Sequence, residues 1–349
     1  MNLRYNKPLL LWLFSGAFLV FAMVVVGGIT RLTHSGLSIT EWNLIMGSIP
    51  PLNEMDWNAV FAKYQQTPEF QKINYSMTLS EFKFIFFWEF IHRLIGRLIG
   101  VVFLVPFVYF YFTGQLKGKF TRKLLFVFAL GGLQGLIGWY MVKSGLVNDP
   151  HVSHYRLALH LITAFITFGY IWWLVLDIIA PRAFNKITSG RVRSFASIIL
   201  GVVLVQIVYG AFVAGLKAGL VYNTWPMMGD EWVAEGTTAM KPLWVNFVEG
   251  LAGIQFIHRY IAYLVVGLII YVWFKYRTEE KTVLQKRAIN FLLGMVLLQF
   301  TLGVLTLVYA VPLVLGVLHQ IGAFFLFASA IFFYHQTRVP KIHHAIEES

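Results

Sequence analysis

Long apolar runs restrict what this 349-residue chain can fold into. An α-helix needs about 20 apolar residues to cross a membrane. Only 13% of the residues are charged, whereas roughly a quarter are charged in a soluble domain. We therefore predict an all-α integral membrane protein with eight transmembrane helices. The predicted spans are Leu9–Ile29, Phe84–Phe112, Leu124–Val142, Leu157–Leu176, Ser194–Leu216, Gly250–Phe274, Ile289–Ala310 and Val311–Phe333.

The loop charges predict the orientation of these spans. One side carries 17 of the 28 Lys and Arg residues, in the N-terminal segment, the loops 113–123, 180–193 and 275–288, and the C-terminal tail. The other side carries eight, although it has the two longest loops, 30–83 and 217–249. Because basic loops stay in the cytoplasm, we expect both termini there. Contacts with membrane lipid headgroups explain the net charge of +12, and no nucleic-acid partner is needed.

The absence of cysteine limits the chemistry that this chain can perform. Disulfides, iron–sulfur clusters, thiolate metal sites and cysteine nucleophiles are excluded. No phosphate-binding loop or Rossmann fingerprint is present, so nucleotide hydrolysis and dinucleotide binding are not supported. The ten histidines remain as the main candidate metal ligands.

The two halves of the chain repeat one another. Equivalent landmarks are His92 and His258, His160 and His319, Gln134…Gly138 and Gln299…Gly303, and Gly36…Trp42 and Gly219…Trp225. Since each copy has an even number of spans, the copies run parallel, related by an axis along the membrane normal. We predict two pseudo-symmetric four-helix bundles, formed by residues 1–180 and 181–349.

Four histidines lie inside the spans, at similar depth and at repeat-related positions. We expect each to lie two or three helical turns from the outer face. Paired imidazoles from facing helices can hold a haem iron from both sides; the alternative is a set of inter-helix hydrogen bonds. We predict haem ligation by the pairs His92–His160 and His258–His319. Of the other histidines, we place His34, His151 and His154 in outer loops, and predict that His335, His343 and His344 are solvated at the cytoplasmic end.

Charged residues inside spans are costly and indicate functional sites. Arg93 and Arg259 directly follow paired histidines, and we predict that they bind haem propionates. The alternative for Arg93 is an ion pair with Glu89, four residues earlier.

Glu89 also lies on the same helix face as His92, and its repeat counterpart is the neutral Gln255. A carboxyl group can move protons or stabilise positive charge. We therefore predict a catalytic role for Glu89 in the first half, and electron storage or scaffolding in the second. The alternative is that Glu89 only neutralises Arg93 or Arg97.

Two pairs of glycines at four-residue spacing, Gly96 with Gly100 and Gly131 with Gly135, predict close packing between helices.

Several motifs together resemble those of the haem A synthase family. They are Gly27–Trp42 leading to Pro50-Pro51, Glu89–Arg93, Asn223–Met228, Phe256–Arg259 and Leu318–Gln320. The resemblance runs through all eight spans, and the chain looks like the cysteine-free members of that family.

The resemblance implies a multi-pass enzyme of the bacterial inner membrane. It would oxidise the C8 methyl group of haem O to a formyl group, giving haem A for terminal oxidases. A bound haem b would be ligated by His258 and His319, and haem O would lie near His92 and His160, with Glu89 needed for turnover. Contacts with a haem O synthase, with terminal oxidase assembly or with a second copy of the chain are left open.

Two other functions fit the residues alone. A di-haem b-type cytochrome would carry electrons without changing its haems, but the four histidines lie level rather than at two depths. A transporter built on the parallel repeat would bind no haem at all.

Overall fold

The computed structural model describes residues 7–41, 46–145, 150–180, 190–277, 279 and 281–338. These residues form ten α-helices and no β-strand, and eight of the helices are long and apolar enough to cross a membrane. The all-α class and the eight predicted spans are therefore confirmed. The helices are α1 (Lys7–Leu32), α2 (Glu54–Gln65), α3 (Pro68–Lys72), α4 (Leu79–Phe112), α5 (Gly118–Gly145), α6 (His154–Ile179), α7 (Gly190–Leu216), α8 (Leu251–Tyr276), α9 (Val283–Val308) and α10 (Leu313–Thr337).

Local capping explains where the observed boundaries differ from the predicted ones. Helix α4 begins at Leu79, five residues before the predicted span, because Thr78 and Glu81 form a reciprocal capping box. The turn between α9 and α10 is longer than predicted. Ala310 and Val311 both adopt the left-handed conformation, with φ of 55° and 57°, so neither belongs to a helix, and α10 begins after Pro312.

Each half forms a ring of four helices. In the N-terminal half α1 contacts α4, α4 contacts α5, α5 contacts α6, and α6 returns to α1. Helices α7, α8, α9 and α10 repeat this order in the C-terminal half. The arrangement supports the predicted pair of bundles.

The two rings share one hydrophobic core rather than standing apart. Buried side chains of α1, α6, α7 and α10 form one continuous cluster, and α6 contacts both α7 and α10. Polar contacts add to this packing: Gln320 donates to the carbonyl of Val24 at 2.7 Å, and Arg31 donates to the last carbonyls of α7. The division at residue 180 therefore describes a repeat, and its use as a domain boundary stays a prediction.

Two histidines outside the proposed pairs are not where the sequence predicted them. His335 was expected to be solvated, but its side chain is fully buried, with Nε2 3.0 Å from Asp177 Oδ1, so that prediction is wrong. His154 is the first residue of α6 rather than part of a loop, and its ring is buried with Nε2 2.8 Å from the carbonyl oxygen of Val248. Both rings tie neighbouring segments together.

Some predictions concern parts of the chain outside the described residues. These are Trp42, His343, His344, most of the loop 180–193, the first six residues and the tail after residue 338.

Candidate functional site

The histidines of the C-terminal half face each other. The ring centroids of His258 on α8 and His319 on α10 lie 6.5 Å apart, with an angle of 81° between the planes. Two metal–imidazole bonds of about 2 Å each, plus about 1 Å from each nitrogen to its ring centre, come to roughly 6 Å. The spacing therefore fits one iron held between the two imidazoles.

The histidines of the N-terminal half occupy the equivalent helices. His92 lies on α4 and His160 on α6, within electrostatic range of each other. His160, like His258 and His319, lies two turns after the start of its helix. His92 lies further along α4, which begins earlier, but it packs against Gly27, five residues before the end of α1, just as His319 packs against Gly303, five residues before the end of α9. The four histidines are therefore comparable in depth.

Each of the four imidazoles packs against a glycine of the preceding transmembrane helix. The pairs are Gly27 with His92, Gly138 with His160, Gly210 with His258, and Gly303 with His319. A Cβ atom built on these glycines would lie between 2.8 and 3.3 Å from a ring atom. A side chain at any of them would therefore push the ring away from its position.

Glu89 is buried, 3% exposed, and both of its oxygens accept hydrogen bonds. Oε1 accepts from Arg93 Nε at 3.0 Å and Nη2 at 2.6 Å. Oε2 accepts from Ser38 Oγ at 2.7 Å and from the backbone N–H of Ile39 at 2.9 Å. Because all these groups donate, they match an ionised, acceptor-only carboxylate.

Arg93 also holds the loop that follows α1. Its Nη2 donates to the carbonyl of Ile39 and its Nη1 to that of Glu41, both at 2.8 Å. The ion pair with Glu89, which was the alternative interpretation, is thus formed.

Arg259 makes the corresponding contacts in the C-terminal half. Its Nη2 donates to the carbonyl of Tyr222 at 2.6 Å and its Nη1 to that of Thr224 at 2.8 Å. Tyr222 and Thr224 lie as far after Gly219 as Ile39 and Glu41 lie after Gly36. The loop contacts of the two arginines are therefore equivalent.

The two sites differ in the group beside the arginine. Gln255 Oε1 takes the place of Glu89 and lies 3.4 Å from Arg259 Nη2. In the part of the chain that the structure describes, Arg259 has no carboxylate partner, and its Nε is buried without an acceptor. The C-terminal site therefore carries an unbalanced positive charge, whereas Glu89 balances that of Arg93.

The two halves also differ in side-chain size on the second and third transmembrane helices of each half. A Cβ built on Gly100, Gly131 or Gly135 would meet no other atom within 4 Å, so the predicted close packing of these glycines is wrong. Only Gly96 has a neighbour, Met23 of α1. The equivalent C-terminal positions hold the larger residues Ala262, Val266, Val296 and Phe300.

A second buried carboxyl group lies in the loop that covers the N-terminal site. Tyr64 of α2 stacks on Phe82 of α4 with centroids 5.0 Å apart, and its hydroxyl donates to Glu69 Oε2 at 3.1 Å. Burial, with a smaller contribution from the charge of Glu89, raises the pKa of Glu69 to about 7. The first turns of α4 are thus covered by a packed loop that buries a hydrogen-bonded polar pair, Tyr64 and Glu69.

Sequence reasoning missed several residues of these sites. The glycines at the rings and the amides of Gln134, Gln206 and Gln299 near His160, His258 and His319 were not assigned. A recurring Gln-x-x-x-Gly spacing in spans 3, 5 and 7 was the available signal. Ser38 had no signal of its own, because its contact with Glu89 depends on how the loop folds back.

Comparison with known proteins agrees with this arrangement. The profile of a family described as cytochrome oxidase assembly protein matches residues 10–331. The haem A synthase of Flavobacterium psychrophilum is 50% identical over 338 residues, covering 96% of this chain and 99% of that protein. The haem A synthase of Nitrosospira multiformis is 44% identical over 335 residues, covering 95% and 94% of the two chains. The chain belongs to the haem A synthase family of cytochrome oxidase assembly proteins.

Proposed function

We propose that this protein oxidises the C8 methyl group of haem O to a formyl group, giving haem A for terminal oxidase assembly. This makes it an oxidoreductase acting on a C–H group. The observation that carries the proposal is the difference between two otherwise equivalent histidine sites. One has the ionised Glu89 beside its arginine, and the other has the neutral Gln255.

In this proposal haem O, the substrate, binds between His92 and His160. Glu89 supports the assignment because its charge lies one helical turn from His92 and stabilises positive charge that develops on the substrate. Its four hydrogen bonds favour this electrostatic role over proton transfer. The exposed glycine face formed by Gly100, Gly131 and Gly135 also supports it, since the long isoprenoid tail of haem O can lie along such a face.

A resident haem b is proposed for the C-terminal half, ligated by His258 and His319. Their ring spacing of 6.5 Å fits an iron between them. Arg259 Nε, which is buried without an acceptor, can donate to a propionate oxygen. When bound, this haem supplies electron transfer.

Propionate binding by Arg93 stays a prediction, because Nε, Nη1 and Nη2 of Arg93 all donate to protein oxygens. The cytoplasmic placement of both termini, contacts with a haem O synthase and a homo-oligomer also stay predictions.

The relatives do not favour the alternative of an electron-carrying di-haem cytochrome, since those named here are haem A synthases. The two functions are separated by expressing the protein together with a source of haem O and extracting its haems. We expect haem A, or a hydroxylated precursor, in the extract. Recovery of unchanged haem O alone, from protein that also holds haem b, would contradict the proposed oxidation.

A further inference from the structure

The four histidines differ in the residue that lies one turn before the glycine at each ring. Three of the preceding helices carry glutamine there: Gln134 on α5, Gln206 on α7 and Gln299 on α9. Helix α1 carries Met23 at this position, four residues before Gly27. Among the four histidines, His92 is thus the one whose preceding helix has no glutamine side chain at this position.

The three glutamines contact the histidines that follow them. Gln299 Nε2 lies 3.1 Å from His319 Nδ1, and Gln206 Nε2 donates to the backbone carbonyl of His258 at 3.0 Å. Gln134 Nε2 donates to Thr163 Oγ1, which leaves its Oε1 facing Nδ1 of His160; with the amide turned over, Nε2 lies 3.2 Å from that Nδ1 instead.

These amides can orient the imidazoles toward a metal. An iron-bound imidazole carries its proton on the other ring nitrogen, and a carbonyl oxygen that accepts this proton fixes the ring and makes it a stronger ligand. The Oε1 atoms of Gln206 and Gln299 and the Nδ1 atom of His258 are buried without partners. Turning over the Gln299 amide brings its Oε1 to His319 Nδ1, just as Gln134 Oε1 faces His160 Nδ1. Gln206 instead holds His258 through its backbone carbonyl.

The His92 ring lacks this support and is turned differently. In the part of the chain described by the structure, the ring has no hydrogen-bond partner, and the thioether of Met23 is a weak acceptor. A Cβ on Gly27 would lie 3.1 Å from His92 Nε2, whereas the other three glycines face the Cε1 edge of their rings. Both the sequence and the ring orientation set His92 apart.

We propose that His92 is the labile ligand of the substrate haem, and that Gln134, Gln206 and Gln299 are positioning residues that hold the other three imidazoles on iron. The inference rests on the proposed function, because it assumes that haem O binds between His92 and His160. A substrate must enter and its product must leave, whereas a resident haem stays bound. A single weakly held ligand in the N-terminal half lets the substrate enter and the product leave, while both ligands of the resident haem stay bound.

The experiment measures carbon monoxide binding to the ferrous protein after anaerobic reconstitution with haem O. Carbon monoxide binds only when a histidine leaves the iron, so its binding rate reports ligand lability without turnover. We expect the N-terminal haem to react and the C-terminal haem to react at least tenfold more slowly. The Met23→Gln variant should slow the N-terminal reaction about 10-fold or more, the range typical of groups that support metal ligands.

Matched variants distinguish a hydrogen bond that supports the imidazole from simple packing of a side chain against the ring. Met23→Leu keeps an apolar side chain without an acceptor and should behave as the unaltered protein. Gln299→Met gives His319 the neighbour that His92 has, and should make the C-terminal haem reactive. This second change keeps the proposal testable if Met23→Gln fails to fold.

Equal rates at both haems, or rates unchanged by both Met23→Gln and Gln299→Met, would overturn the labile-ligand proposal. Failure of the proposed function looks different: pyridine extracts would then show haem b bound and no haem O taken up.

Discussion

In the C-terminal half Arg259 keeps its positive charge beside His258 and His319, whereas in the N-terminal half Glu89 balances the charge of Arg93. The loop contacts of the two arginines are otherwise equivalent. A positive charge attracts an anionic haem and stabilises its reduced form, and a carboxylate beside the arginine weakens both effects. The comparison teaches that one carboxylate changes the charge beside two otherwise equivalent arginines, while Arg97 adds a second cation one turn further along α4.

The largest expected effect comes from removing that carboxylate. Glu89→Gln should lower the rate of haem A formation about 100- to 1000-fold, the range seen when one preorganised electrostatic group is lost. The fold should survive, because Gln255 shows that glutamine fits beside the equivalent arginine. The measurement is the ratio of haem A to haem O in extracts, with haem b content as the check on folding.

The reciprocal change, Gln255→Glu, is the matched control. It should leave haem A formation largely intact but lower the reduction potential of the C-terminal haem, because it neutralises Arg259. If Glu89→Gln keeps the normal rate, Glu89 is a structural counter-ion and the comparison of the two sites loses its functional meaning.

A second test substitutes two of the glycines that pack against the histidine rings. A Cβ on Gly303 would lie 2.8 Å from His319 Cε1, whereas one on Gly138 would lie 3.3 Å from His160 Cε1. Gly303→Ala should therefore weaken haem binding in the C-terminal half by roughly 10- to 100-fold, and Gly138→Ala should do less in the N-terminal half. Titration of each purified variant with haem measures the haem affinity of each half.

The control for this test lies on the same helix. Gly294 of α9 has open space where its Cβ would go, so Gly294→Ala should bind haem normally. Loss of haem from Gly294→Ala to the same degree would mean that α9 tolerates no alanine, and the ring contact would not be the cause.

The sequence predicted the spans and the histidine pairs because each rests on local information. Apolar length alone identifies a transmembrane helix, and His92, His160, His258 and His319 stand out as polar residues within such runs. The contrast of Glu89 with Gln255 could also be found, since the repeat aligns them without a gap.

The rest depended on packing between distant segments. The glycine spacing of α5 does not encode whether another helix lies against that face, and in the structure no atom lies within 4 Å of a Cβ built on Gly131 or Gly135. His335 looked exposed because it lies near the end of its helix, yet Asp177 from α6 buries it. Ser38 reaches Glu89 only because Arg93 folds the loop back over α4.

A smaller effect is expected from covering the exposed glycine face of the N-terminal half. Gly131→Val and Gly135→Phe reproduce the residues Val296 and Phe300 of the other half. We expect the double variant to raise the KM for haem O about 10-fold, because the larger side chains cover the face along which the isoprenoid tail would lie, with haem b content unchanged. The KM is measured from the steady-state conversion of haem O to haem A by purified protein in detergent.

Leu133→Phe is the matched control, because it adds bulk to the same helix but points roughly 180° away from the face shared by Gly131 and Gly135. It should leave the KM for haem O unaltered. An equal rise in KM from Leu133→Phe would show that α5 responds to bulk anywhere and that the glycine face is not specific.

The smallest effect concerns the loops that cover the two sites. The N-terminal loop has buried Glu69, whose pKa is raised to about 7, chiefly by burial, whereas the C-terminal loop has the buried neutral amide of Asn246. Because the pKa of Glu69 is higher in the folded loop than in the open one, protonation of Glu69 stabilises the folded loop at low pH. This stabilisation is lost as the pH rises through about 7. We expect local opening of α2 and α3 to increase roughly threefold from pH 6.5 to 7.5, measured by hydrogen exchange corrected for intrinsic rates.

Glu69→Gln should remove this pH dependence, since an amide has no proton to lose in that range. Glu54→Gln, an exposed position on α2, should leave the dependence in place, and the loop around Asn246 should show none. A pH response that persists in Glu69→Gln, or one of equal size around Asn246, would place the titrating group elsewhere. The pH response expected of the two loops differs for the same reason as the charge of the two sites. In both cases the N-terminal half buries a carboxyl group and the C-terminal half buries an amide.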